Sequence, residues 1–170
     1  MKKQLLWLAL LIVLIASCKK KDPEPTLPPE TQTGANTFGC MLNGQVWTNS
    51  PREGGGIPTL EAIPEAGGLL TIKAIYKYGE RGEIINFLSQ NINSTGVYSW
   101  DNKTSVRFED MKKGVFCASY ENDVTVQGLL TITRFDISNR VVSGRFHFKL
   151  QKQNGLTFEA TEGRFDLQMN

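Results

Sequence analysis

Histidine is almost absent from this 170-residue chain, with a single copy at His147, and that removes most routes to imidazole-based catalysis. Cysteine is scarce too, with Cys18, Cys40 and Cys117 as the full set, so no closely spaced zinc-type cluster is available. A surplus of positive charge is also missing. The formal charge of +2 comes from Lys2 and Lys3, and the rest of the chain carries 17 residues of each sign. Nucleic-acid binding through a broad basic face is therefore excluded, because phosphate contacts need an excess of Lys and Arg. No stretch reaches the ~20 apolar residues of a spanning helix. The longest apolar run, Gln4 to Ala16, follows Met1-Lys2-Lys3 and has the length of a secretory leader. With 40% hydrophobic residues and nine Phe, enough apolar material remains for an ordinary core.

The leader ends on Ile15-Ala16-Ser17-Cys18, an aliphatic residue and two small ones before a cysteine. That pattern predicts cleavage after residue 17 and lipidation of Cys18, with several acyl chains holding the protein on a bilayer. Residues 18–36 then carry Pro23, Pro25, Pro28 and Pro29 among charged and small residues, with Leu27 as the one large aliphatic. A Pro-rich tether is expected there, reaching at most ~55 Å at ~3.1 Å per residue. Lys19-Lys20-Lys21 is a solvated charge run or a contact for anionic headgroups. Lys19, not aspartate, follows the lipidated position, which points to the outer membrane, facing the periplasm or the cell surface.

From residue 37 to 170 the dominant pattern is two-residue alternation broken by turn residues, which predicts an all-β domain. Phe38, Cys40 and Leu42 share a face, and Asn43-Gly44 supplies the positive φ angles of a type I′ hairpin leading into Gln45-Val46-Trp47. A loop at 49–56 contains Gly54-Gly55-Gly56, which lacks the Lys-Ser/Thr of a phosphate loop. Leu70, Ile72, Ala74 and Tyr76 line one face of the next long strand, before a turn at Gly79-Glu80-Arg81-Gly82. Ile84, Ile85, Phe87 and Leu88 have the i, i+1, i+3, i+4 spacing of a helix and are the weak point of the all-β reading, taken here as a strand. Short strands at 96–100, 105–109 and 115–120 precede a meander of three long runs at 125–136, 140–150 and 156–168. In the last run the apolar parity changes between Ala160 and Phe165, so a bulge is expected near Gly163, and Gly144 predicts close approach of another sheet. About ten antiparallel strands without an amphipathic helix give a single β-sandwich or flattened barrel. Charged outer faces exclude a membrane-spanning barrel.

Few residues carry recognisable chemistry. In an oxidising compartment Cys40 and Cys117 are a candidate disulfide, against the alternative of two buried thiols. His147 falls between Arg145 and Lys149 on a solvent-side parity, with no carboxylate or nucleophile spaced for a triad. Asn122-Asp123, Glu109-Asp110 and Asp136 fit turn chemistry better than calcium coordination, so neither metal nor cofactor is expected. Arg-Phe-Asp occurs at 134–136 and 164–166, which allows a cross-strand ion pair or, less simply, an Asp136/Asp166 acid pair for glycoside cleavage. Trp100, Tyr98, Trp47 and Tyr76 are the candidate ligand-binding residues, because aromatic faces stack on sugar rings and peptide groups, with core filling as the alternative for Trp47 and Tyr76.

Three stretches together carry a resemblance: IASCKKKD, TGANTFGCMLNGQVW, and GLLTITRFDISNRVVSGRFHFKL followed by TEGRFDLQ. They resemble a family of small uncharacterised lipoproteins of Bacteroidota-type bacteria. The resemblance implies an extracytoplasmic β-rich domain with no assigned activity and supplies no catalytic residues. The expected function is a non-enzymatic, lipid-anchored envelope module that binds carbohydrate, peptide or a partner protein. The alternatives are a glycoside hydrolase using the acidic pair and a structural component of an outer-membrane assembly.

Overall fold

The computed structural model describes residues 25–50, 58–78, 81–90 and 92–170, with the backbone alone at 77, 78 and 81. The leader, Cys18, the Lys19–Lys21 run, the Gly54–Gly56 run and the Gly79-Glu80 turn lie outside the described residues.

Among the described residues eleven strands form two antiparallel sheets that enclose one core. They are β1 (Thr37–Leu42), β2 (Gln45–Thr48), β3 (Leu60–Glu65), β4 (Leu69–Tyr78), β5 (Arg81–Ser89), β6 (Gly96–Ser99), β7 (Thr104–Asp110), β8 (Val115–Ala118), β9 (Val124–Asp136), β10 (Val141–Lys152) and β11 (Thr157–Gln168). One sheet has the order β2-β1-β11-β10-β9-β6 and the other β3-β4-β5-β7-β8. The sandwich alternative therefore holds. The Asn43-Gly44 turn has the double positive φ (48° and 78°) that its residue pair favours. The Asn43 side chain also accepts from the Glu159 amide at 2.9 Å, fastening this hairpin to β11.

The two sheets meet through aromatic rings. Phe38 and Phe146 of the six-stranded sheet pack on Phe87 of the five-stranded one, at centroid distances of 5.9 and 4.8 Å. The ambiguous run at 84–88 is strand: Ile85 and Phe87 point into the core while Leu88 faces out, so apolar residues on both faces produced the helical spacing. The bulge near Gly163 is present. Register slips between Phe146 and Phe148 on β10 and between Gly39 and Met41 on β1, with Glu162 at φ 52° between them. Gly144 corrects an expectation, because the crowding there comes from its own sheet. A Cβ at Gly144 would lie 2.3 Å from the Thr131 carbonyl oxygen and 2.6 Å from the Phe165 ring.

The stretch expected as tether differs most. Residues 28–35 cross the outer face of the six-stranded sheet as a strap. Pro28 packs on Gly39, the Glu30 carboxylate accepts from the Arg145 guanidinium, and the Gln32 carbonyl accepts from Arg134. The strap is pinned at Asp166. That carboxylate accepts from the Thr31 hydroxyl (2.6 Å), the backbone amides of Thr33, Gly34 and Ala35, and the Ser143 hydroxyl (2.7 Å). Composition alone marked these residues as unable to form a core, and they need none, since polar bonds to a prebuilt sheet hold them.

Candidate functional site

On the five-stranded sheet the core-facing row of each central strand ends on a polar residue. Leu70, Ile72 and Ala74 of β4 lead to Tyr76; Phe87 and Ile85 of β5 lead to Glu83; Val106 and Phe108 of β7 lead to Asp110. Register places Tyr76 opposite Glu83 and Glu83 opposite Asp110, so the last rung reads Tyr-Glu-Asp where the rung before it reads Ala74-Ile85-Phe108. Directly opposed residues have Cβ atoms ~4.5–5.5 Å apart. The polar rung therefore forms one wall of a cleft at an end of the sandwich.

The cleft has a volume of about 380 Å³. Trp47 faces the polar rung from β2, 6.5 Å from the Tyr76 ring, and its indole N–H donates to the Glu83 carboxylate at 2.7 Å. Phe108 and Phe158, with centroids 4.4 Å apart, contribute the apolar part of the lining. Asp110 is 3% exposed, and burial alone would raise its pKa. The Lys113 ammonium at 3.0 Å and the backbone amides of Lys112 and Lys113 outweigh that and hold the carboxyl below its ordinary value. The Lys113 side chain is itself largely exposed at the rim. The cleft thus combines aromatic rings, the Glu83 carboxylate that accepts from Trp47, the Asp110 carboxylate held by Lys112 and Lys113, and one largely exposed ammonium at the rim. Among the described residues no group of three His, Cys, Asp or Glu side chains is placed to hold a metal ion.

The aromatic residues singled out by sequence separate. Trp47 lines the cleft. Trp100 is not part of the cleft lining: it sits in the core 5.2 Å from Phe87 and donates its indole N–H to the His147 carbonyl oxygen at 2.9 Å. Tyr98 packs partly buried on the core edge, and its hydroxyl donates to the Ser94 carbonyl. His147 is exposed on the outer face beside Arg145. Tyr76, also singled out by sequence, lines the cleft, whereas Glu83, Asp110 and Lys113 beside it were missed. Their signal was present as a polar residue ending each of three apolar alternations, but only strand register brings them together.

Two pairings are corrected. Cys40 and Cys117 are both free and buried, on β1 and β8 of different sheets. Burial pushes their thiols up to about 12 and about 11. Asp136 and Asp166 do not form an acid pair. The Arg134 guanidinium and the Asn139 side chain and amide hold Asp136 well below the usual carboxylate range. Asp166 is consumed by the strap, whose donors together with Ser143 override the effect of burial and keep it ionised. The expected cross-strand ion pair is replaced by Arg134–Asp136 within one tripeptide and by Arg164–Glu162.

Fold and cleft define a two-sheet, all-β domain with an end cleft of mixed aromatic and carboxylate lining. The chain belongs to the family described as a domain of unknown function (DUF6252), which matches residues 58–166. That span includes Tyr76, Glu83, Asp110 and Lys113, while β1, β2 and the strap precede it. No curated protein and no solved structure matches the chain.

Proposed function

We propose that this protein is a lipid-anchored, non-catalytic module of the cell envelope whose end cleft binds carbohydrate. The leader and Ile15-Ala16-Ser17-Cys18 support anchoring through Cys18, and Lys19 supports the outer membrane over the inner one. The likeness to small Bacteroidota-type lipoproteins supports the same assignment. The observation that carries the ligand class is the Tyr76-Glu83-Asp110 rung facing Trp47. A sugar presents an apolar C–H face to an aromatic ring and hydroxyl donors around its edge, and the cleft offers the Tyr76 ring, 37% exposed, beside the Glu83 carboxylate. Binding is favoured over turnover because glycoside cleavage needs one carboxyl kept protonated as general acid. Neither cleft carboxylate is free for that role: Asp110 is paired with Lys113 and two backbone amides, and Glu83 accepts the Trp47 indole N–H.

The test is a glycan array probed with the chain produced from Lys19 onward, which lacks Cys18 and so carries no lipid. Tyr76→Ala is expected to weaken any bound glycan at least about tenfold, a loss of ~1.4 kcal/mol. Absence of glycan binding, together with recovery in an outer-membrane protein assembly, sinks the carbohydrate assignment in favour of a structural role.

A further inference from the structure

The strap has a consequence for where the cleft can be. Its contacts run from Asn36 near the end of β11 back across Arg134, Arg145 and Gly39, and the described chain starts at Pro25, which itself lines the cleft. Cys18 precedes Pro25 by seven residues. Seven residues span at most ~25 Å, at ~3.3–3.6 Å each. Were the chain free up to residue 36, the same reach would be about 60 Å. Docking of the strap therefore removes more than half of the tether's reach, and the shortened tether leaves from the rim of the cleft, not from the opposite end of the sandwich. Lys19, Lys20 and Lys21 fall inside the remaining segment, where an anionic bilayer surface attracts them.

The geometry points to a cleft that draws its carbohydrate from the membrane holding the protein: the sugar headgroup of a glycolipid in the same bilayer, in preference to a soluble glycan. This rests on the anchoring of Cys18 and on carbohydrate as the cleft's ligand class. The strap supplies the specificity for source. It keeps the aromatic rung within headgroup distance, so a lipid-linked sugar is met at high effective concentration, which falls roughly as the −3/2 power of tether length.

The experiment uses the lipidated full chain in vesicles of phosphatidylethanolamine and phosphatidylglycerol, with or without lipopolysaccharide, and carries a fluorophore on Gln45→Cys at the rim or Ser138→Cys at the far end. The native thiols are buried with raised pKa values, so the introduced cysteine is the one that labels. Energy transfer to an acceptor on lipid headgroups is expected to be stronger from position 45 than from 138. Lipopolysaccharide in the vesicle is expected to change the emission at position 45, and Tyr76→Ala is expected to abolish that change. Inserting a twenty-residue Gly/Ser segment between Asp22 and Pro23 should erase the difference in transfer. It should also raise the lipopolysaccharide density needed for half response on the order of eightfold, while leaving binding of the delipidated oligosaccharide unchanged.

Equal transfer from both positions, or an identical lipopolysaccharide response in the native and lengthened chains, overturns the inference. Oligosaccharide binding that depends on Tyr76 but not on tether length overturns the membrane source alone and leaves carbohydrate binding standing. No response to sugar in either form overturns both. Failure of the chain to remain on vesicles overturns the anchor and this inference with it.

Discussion

Trp47 and Glu83 are joined across the sandwich: the indole N–H on β2 of one sheet donates at 2.7 Å to a carboxylate on β5 of the other. Trp47 is 6% exposed, so its N–H has little access to water as a substitute partner. Glu83→Leu is expected to lower unfolding stability by about 1–3 kcal/mol, since a buried donor loses its acceptor. Glu83→Gln retains an acceptor oxygen and is expected to stay within about 1 kcal/mol of the parent. Urea unfolding of the two variants side by side measures the difference.

Trp100 provides the complementary case. Trp100→Ala removes a buried ring that touches Phe87 and Phe148 and leaves the cleft untouched. A loss of about 3–5 kcal/mol is expected. Tyr76, 37% exposed, should tolerate alanine with a change of roughly 1 kcal/mol or less. Thermal melts distinguish the two, and similar losses in both would place Tyr76 in the core.

Asp166 makes the strap sensitive to acid. Its carboxyl is depressed in the folded chain, with burial opposed by the Thr31 and Ser143 hydroxyls and by the Thr33 and Gly34 amides. Its stabilisation is therefore complete above the unfolded value of ~3.9 and is lost progressively as pH falls toward the depressed folded value. Amide exchange at residues 31–35 is expected to rise relative to the β10 core between about pH 4 and pH 2. Asp166→Asn should raise it at neutral pH and flatten the acid response, while lowering stability by about 2–3 kcal/mol.

The cysteines give a direct chemical readout. Without a reductant, the Cys18→Ser chain is expected to show no thiol reactive toward an aromatic disulfide reagent while native, and two after denaturation. Zero thiols after denaturation would restore the Cys40–Cys117 bridge.

Most of the scaffold was legible because its code is local. The Asn43-Gly44 turn, the parity change before Phe165 and the three-strand meander each depend on residues adjacent in sequence. The Ile84–Leu88 run misled because Ile84 and Leu88 sit on the outer face of a strand whose inner face is also apolar. From sequence, Trp100 reads as the last residue of a short strand and as a ring for a ligand. Only the fold shows that its indole reaches a carbonyl 47 positions away. The cleft was hidden for the same reason, since the spacing between Tyr76, Glu83 and Asp110 has no meaning until β4, β5 and β7 pair. The strap was misjudged because its partners, Arg134, Arg145 and Asp166, lie more than a hundred residues downstream.

A tug on the N-terminal side of this chain would meet the strap contacts one after another. Pro28 against Gly39 would detach first, then Glu30 from Arg145, Thr31 from Asp166 and Gln32 from Arg134, with the bonds of Thr33, Gly34 and Ala35 to Asp166 as the final stop. Load applied from that side is thus dissipated by peeling in small steps before it reaches β1, and the sandwich itself is spared.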